Sequence, residues 1–202
     1  MKQVFDSIAW IFHPLMKLSG KPKLFAKKII TIAKPKKEDK ILDIGGGTGL
    51  IAEILLKQCN NVTVLDPSKE MLKKITSKKI KKIRATLQKN PLKKNSFDII
   101  TCVDSFHHLT NKYKKKDHEK IIDQSIKEIL RILKKKGTLL MIEFDPTSFQ
   151  GKMIKFFENN LLKMNSRFYP PDTLRTLFQK HNCTTTIHRI NTRTYIAKIK
   201  KN

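Results

Sequence analysis

The sequence predicts a doubly wound α/β fold: one mostly parallel sheet with helices on both faces, closed by an antiparallel hairpin. Three observations carry that reading. Five strand-like apolar runs alternate with helical patterns, which implies parallel βαβ units with right-handed crossovers. The first run ends in the stretch "ILDIGGGTGL", although the 202 residues hold only seven glycines. Two β-branched, alternating segments at the end of the chain are joined by a short turn, the pattern of a hairpin.

Taken in order, Val4–Leu18 and Pro22–Ala33 read as two helices punctuated by Pro14, Gly20 and Pro22. The strand-like runs are Lys40–Ile44, Asn61–Leu65, Lys82–Leu87, Phe97–Val103 and Thr138–Phe144. Helical patterns cover Leu50–Gln58, Lys69–Ser77 and Ile121–Leu133; in the last, Ile122, Ile126, Ile129, Leu130 and Leu133 repeat at three and four. The hairpin sets Thr184–Ile190 against Arg193–Lys200 across Asn191–Thr192. With no internal repeat and no flexible linker, residues 1–202 read as one domain, a helical lid over 1–34 and a core over 36–202.

Cys59, Cys102 and Cys183 are odd in number and far apart, so neither a disulfide framework nor a zinc motif is indicated. A reducing, cytoplasmic setting is the expectation. No apolar run is long enough to cross a bilayer, and the start lacks the basic region of a signal peptide. The formal charge of +26 raises a nucleic-acid partner, but only six of the 43 basic residues are arginine. Phosphate and base-edge recognition favours the arginine fork. The lysine runs Lys34–Lys37, Lys78–Lys82, Lys93–Lys94 and Lys134–Lys136 each precede a strand, at the edge away from where open α/β sheets bind ligands. A solvated surface accounts for them, and nucleic acid is not an expected partner.

The glycines sit where the first strand turns into a helix. A dinucleotide fingerprint starting at Gly45 needs glycine at position 50, which is Leu50, and a P-loop needs a closing Gly-Lys-Ser/Thr that is not there. What stands instead is Asp43-x-Gly45-x-Gly47-x-Gly49.

In this the chain resembles the class I S-adenosylmethionine-dependent methyltransferases, and the likeness covers nearly its whole length. "VTVLDPSKEML", "NPLKKNSFDIITCVDSFHHL", "IKEILRILKKKGTLLMIEF" and "RFYPPDTLRTLFQKHNC" resemble successive motifs of that family in the right order. Its small-molecule branch, typified by ubiquinone/menaquinone-biosynthesis C-methyltransferases, is the most similar, and "VFDSIAWIFHPLMKLS" is similar to that group's N-terminal segment. The resemblance implies a seven-stranded Rossmann-like sheet with the last strand antiparallel, S-adenosylmethionine as cofactor, and a small lipid-like or aromatic acceptor. It implies cofactor contacts from Asp43, Gly45, Gly46, Gly47 and Gly49, with Asp66 gripping the ribose hydroxyls. Thr86 and Leu87 would line the adenine side, where the usual acid is replaced by Thr86, and Val103 is a further cofactor contact. The usual tyrosine–aspartate pair near the N-terminus reads Phe12–His13.

His107 and His108 follow the fourth strand and are candidate catalytic residues, since imidazole accepts a proton near neutrality. Asp104 could line the pocket, and Glu143 and Asp145, ending the fifth strand, are alternative bases. Arg167, Tyr169 and Pro170–Pro171 shape the substrate side, and the insert Phe149–Tyr169 closes over it together with the N-terminal helices. The spacing of His, Asp and Glu suggests no metal. The alternatives are an RNA or protein methyltransferase, or a cofactor-binding protein without transfer activity. Val4, Phe5, Ile8, Trp10, Ile11 and Phe12 are apolar enough for peripheral membrane contact.

Overall fold

The structure, a computed structural model, describes residues 4–202, the side chains of Val4, Phe5 and Ile8 excepted. Its sheet is built from β1 (Lys40–Ile44), β2 (Asn61–Leu65), β3 (Lys81–Ile83), β4 (Phe97–Val103), β5 (Leu133–Phe144), β6 (Cys183–Arg189) and β7 (Thr194–Lys201). Among the described residues the order across the sheet is β3–β2–β1–β4–β5–β7–β6. β1 runs parallel to both neighbours, Ile41 opposite Val62 on one side and Ile99 on the other. β7 lies antiparallel to β5 and to β6, as the closing hairpin requires. The doubly wound, mostly parallel sheet is therefore as the sequence predicts.

The helices are α1 (Val4–Leu18), α2 (Lys21–Ala33), α3 (Leu50–Leu55), α4 (Lys69–Lys73), α5 (His118–Ile132), α6 (Phe149–Phe156) and α7 (Pro171–Gln179). Alternating strand residues face opposite layers. Leu42, Ile44, Ile100, Cys102, Leu139 and Met141 pack with Ile122, Ile126 and Ile129 of α5 and Leu174 and Phe178 of α7. Ile41, Val62, Val64, Ile99 and Leu140 pack with Phe25 and Ile29 of α2 and Ala52 and Leu55 of α3. Each fully buried Leu or Ile contributes about 1.5–3 kcal/mol, so the two layers together hold the strand order. No described helix is long and apolar enough to cross a membrane.

Several elements differ from expectation: α3 ends at Leu55 and α4 at Lys73, short of the expected Gln58 and Ser77, and three further differences have a visible reason. β3 stops at Ile83 because it is a largely exposed edge strand pairing only with β2; beyond it Thr86 bridges to Lys89 and the chain turns away. β5 starts at Leu133, which pairs with Phe97 before the register slips and resumes at Ile99 opposite Thr138. The slip lets Lys134 reach Asp98 at 2.7 Å. Pro14 lies inside α1, which runs on through it to Leu18 at the cost of one backbone hydrogen bond.

Candidate active site

The chain leaves β1 toward β2 and β3, then crosses back to β4 and β5, so strand order reverses between β1 and β4. Ligands of open α/β sheets bind in the crevice at such a reversal, beyond the carboxyl ends of the strands. The glycine turn lies there. Gly45 has φ +67°, and a Cβ on it would stand 2.6 Å from Ser105 Cβ, just past the end of β4. Ser105 is held in turn by its Oγ donating to the Ile44 carbonyl at 2.9 Å. A Cβ on Gly46 would meet Asp43 Oδ2 at 2.5 Å. Gly47 (φ +52°) and Gly49 (φ +76°) are also left-handed, and Gly49 opens α3. The Cβ position of Gly47 meets nothing nearer than a backbone oxygen at 4.0 Å, so that point of the turn faces open space.

Two carboxylates brace the turn. Asp43 lies beneath it, 1% exposed, with Oδ1 accepting from Thr101 Oγ1 at 2.7 Å. Burial pushes its pKa up to about 7 against the Thr101 hydrogen bond, and the charge of Asp66 adds to the rise. Asp66, one strand over, accepts from the Gly47 amide at 2.9 Å and the Ser68 amide at 2.8 Å. Its pKa is also raised, chiefly by burial. A carboxylate offers roughly four lone-pair sites, so two remain for a vicinal diol. Helix α1 closes this side: Ser68 Oγ donates to Asp6 Oδ1 at 2.5 Å.

The other expected contacts lie on separate elements, beyond β3 and at the end of β4. Thr86 is half-buried, and its carbonyl accepts from the Lys89 amide at 3.1 Å. Leu87 is buried in the α5-side core, and Val103 packs against the opposite layer. Asp104 has φ +46° and a buried, unpartnered Oδ1. Burial and then the charge of Glu143 push its pKa up to about 7, against His107 and Lys21.

A polar cluster sits beside the crevice. Residues Phe106–His108 form a 3₁₀ turn after β4. Glu143, ending β5 and 1% exposed, accepts from the Phe106 amide at 2.9 Å through Oε1, and its Oε2 meets His107 Nδ1 at 2.5 Å. The other nitrogen of His107, Nε2, points at Glu158 Oε2, 3.7 Å away. Burial alone would lower the His107 pKa, but Glu143 and then Glu158 outweigh it and push it up to about 10. His108 is driven the other way, well below its usual value, by burial and by the charge of His107. Its Nδ1 lies 3.0 Å from Ser166 Oγ and 3.1 Å from Asn111 Nδ2.

The insert after β5 covers this cluster. Phe168 stacks on His107 at 4.4 Å, and the Arg167 amide donates to the His107 carbonyl at 2.9 Å. Arg167 lies over the Tyr169 ring, and Pro171 opens α7. Asp145, by contrast, is committed to Thr147 and to Arg189 at 2.6 Å. The residue that sequence reasoning missed is Glu158, carried on a π-helical turn, Phe157–Leu161, far along the chain from His107.

Residues 42–141, about half of the chain, match the profile of a family described as a methyltransferase domain. A demethylmenaquinone methyltransferase of Thermotoga maritima is 28% identical over 165 residues, 77% of this chain and 67% of that protein. The ubiquinone/menaquinone biosynthesis C-methyltransferase of Agrobacterium fabrum is 30% identical over 160 residues, 71% of this chain and 58% of that protein. The chain belongs to the class I S-adenosylmethionine-dependent methyltransferases. In fold, this methyltransferase matches an S-adenosylmethionine-dependent methyltransferase of Thermotoga maritima with a TM-score of 0.74 at 22% identity, over 100% of both chains. A methyltransferase structure from Methanococcus maripaludis matches with a TM-score of 0.71 at 17% identity, over 100% of this chain and 96% of that one.

S-adenosylmethionine is the cofactor of this family, and the residues present fit it. The Gly47 position leaves open space above the turn, and Asp66 keeps acceptor capacity for a sugar diol.

Proposed function

We propose that this chain transfers a methyl group to a small lipid-like or aromatic acceptor, with Asp43, the glycines 45, 46, 47 and 49, Asp66, Thr86, Leu87 and Val103 forming the cofactor site. Bound S-adenosylmethionine supplies a methyl group already activated by its sulfonium. The protein's own work is alignment and exclusion of water, and orientation alone is worth roughly 7–11 kcal/mol. Asp66 would clasp the ribose while holding Gly47, so one carboxylate shapes the turn and reads the ligand.

The observation that carries the acceptor assignment is the cluster of buried His107 and Glu143 with half-buried His108 and Glu158, covered by Phe168. It puts a few convergent polar atoms in an apolar, aromatic surround, which suits an apolar molecule bearing one polar group. His107 and His108 are the residues we place against that group. The quinone-type names of the relatives agree with this acceptor class. Residues 1–34 act as the lid and 36–202 as the core, with the insert after β5 closing the acceptor side. Turnover of methyl-labelled S-adenosylmethionine on a panel of quinols, phenols and amines tests the reading. Transfer confined to protein or RNA substrates would refute it.

Two surface features bear on partners. Trp10, Leu15 and Leu18 of α1 and Phe149, Met153 and Phe156 of α6 are exposed large apolar residues, interspersed with Lys17, Lys152 and Lys155. That combination suits peripheral contact with an anionic lipid surface, from which an apolar acceptor is collected. Vesicles containing anionic lipid should float the full chain, and neutral vesicles should float it less. A deletion of residues 1–18 should float less; equal flotation would argue against α1 as the contact. The lysines of the opposite edge are exposed at Lys36, Lys79, Lys93 and Lys136, away from the crevice. RNA binding with a steep salt dependence would reverse the assignment of that edge as solvated surface.

A further inference from the structure

We propose that His107, His108 and Glu158 form a binding site for a divalent transition-metal ion of the zinc class. One ligand atom from each of His107, His108 and Glu158 lies within 4.8 Å of the other two. Glu158 Oε2 stands 3.7 Å from His107 Nε2 and 3.9 Å from His108 Nδ1. Ligands at about 2.0–2.1 Å around a tetrahedral ion are roughly 3.3–3.5 Å apart. A shift of the Glu158 carboxylate by about half an ångström brings its own two distances to that spacing, and the imidazoles close on the ion by side-chain rotation.

Spacing alone does not make the argument. His107 Nε2 and Glu158 Oε2 are both buried without a hydrogen-bond partner, although His107 is only 1% exposed. Unsatisfied buried polar atoms are rare and call for a reason; here two of them face each other across a gap the size of an ion. The surroundings also orient the ligands. Glu143 holds Nδ1 of His107 and thereby aims Nε2 at Glu158, the carboxylate–histidine arrangement that supports metal-bound imidazoles. Phe168 stacks on the same ring and fixes its plane. Asn159, next to Glu158, accepts from the Ser166 amide at 2.6 Å and donates to the Ser166 carbonyl at 2.9 Å. The Ser166 hydroxyl in turn reaches His108. One short network thus ties the Glu158 turn to both histidines.

Charge points the same way. Glu143, Glu158 and Asp104 surround His107, with Lys21 as the other cation acting on Asp104. A dication offsets the excess of buried carboxyls better than a single proton. On binding, it would take the His108 Nδ1 lone pair now shared by Ser166 and Asn111. Two imidazoles and one carboxylate select zinc or ferrous iron over magnesium, which favours oxygen ligands, and three protein ligands leave a coordination position open. If the cluster is the acceptor side, as proposed above, that position would take an oxygen of the acceptor.

The test is calorimetric titration of ZnCl₂ into the full, tag-free chain after chelator treatment, with MgCl₂ in parallel. One zinc per chain and no saturable magnesium heat are expected. Glu158→Gln and His107→Asn should each weaken zinc at least tenfold, with circular dichroism unchanged for the Glu158 variant. Glu143→Gln, which keeps an acceptor for His107 Nδ1 and for the Phe106 amide but removes a nearby negative charge, should weaken it less than loss of a ligand does. No zinc binding by the wild type, or affinity unchanged in Glu158→Gln, would overturn the proposal and leave the cluster a proton-linked ion pair. S-adenosylmethionine titrated into the same samples separates the two readings: its failure to bind speaks against the cofactor site, the failure of zinc against this one.

Discussion

Replacing Gly45 with alanine tests whether the turn after β1 is built for close approach. Two costs are separable. At φ +67° a side chain adds about 1–2 kcal/mol of backbone strain. The new Cβ would also lie 2.6 Å from Ser105 Cβ, an atom fixed to the backbone of the loop after β4, and such overpacking costs about 1–3 kcal/mol. Gly45→Ala should therefore lose about 2–5 kcal/mol in urea denaturation. Ser105→Gly alone should lose about 1 kcal/mol, because its Oγ no longer donates to the Ile44 carbonyl. In the double variant the collision is gone and only the strain remains, so the cycle should show a coupling of about 1–3 kcal/mol. S-adenosylmethionine affinity should recover only partly, since the strained turn still carries the ligand. A loss below about 0.5 kcal/mol for Gly45→Ala, or strict additivity in the cycle, would refute the geometry.

Further outcomes concern buried and paired carboxyls. Asp43 is raised to about 7, so folding takes up a proton between its unfolded value near 3.8 and pH 7. Its burial therefore costs stability that grows as pH rises through that window, up to about 4 kcal/mol. Asp43→Asn should raise the melting temperature of the ligand-free protein at pH 8 and make little difference at pH 4; a lower melting temperature at pH 8 would contradict this. Glu128 on α5 is held below its usual range by Arg131, which forks onto it at 2.6 and 2.8 Å, against burial and with help from Asn90. Glu128→Ala should cost about 1 kcal/mol above pH 4.5, and the gap from wild type should close as pH falls below it. Equal gaps at pH 7 and pH 3.5 would refute that assignment. Tyr195 Oη donates to the Tyr169 carbonyl at 2.7 Å in a fully buried setting. Tyr195→Phe should cost about 1–3 kcal/mol by orphaning that carbonyl, as read from denaturation midpoints.

How far the sequence revealed this molecule depends on whether the physics was local. The glycine turn and Asp66 were legible because a left-handed turn and a strand-end carboxylate are written in neighbouring residues. The alternation of strands and helices was legible because each element buries its own apolar face. β3 was overextended because the run to Leu87 carries apolar residues that serve the core from a loop instead of a strand. Lys134–Lys136 hid the true start of β5, since they lie inside a strand that begins at Leu133, at its register slip. The pairing of His107 with Glu143 was half visible, as both were candidates with no stated connection. Glu158 was not legible: its approach depends on a π-helical turn in the insert, and nothing near position 158 advertises a contact with the end of β4.

The most direct measurement is calorimetric titration of S-adenosylmethionine into the wild type and Asp66→Ala. Saturable one-to-one binding that weakens at least tenfold in the variant, with its helical content intact, is what a carboxylate shared between Gly47 and the ribose requires. No heat with the wild type, or the same affinity in both proteins, would show that the crevice between β1 and β4 is not where the cofactor sits.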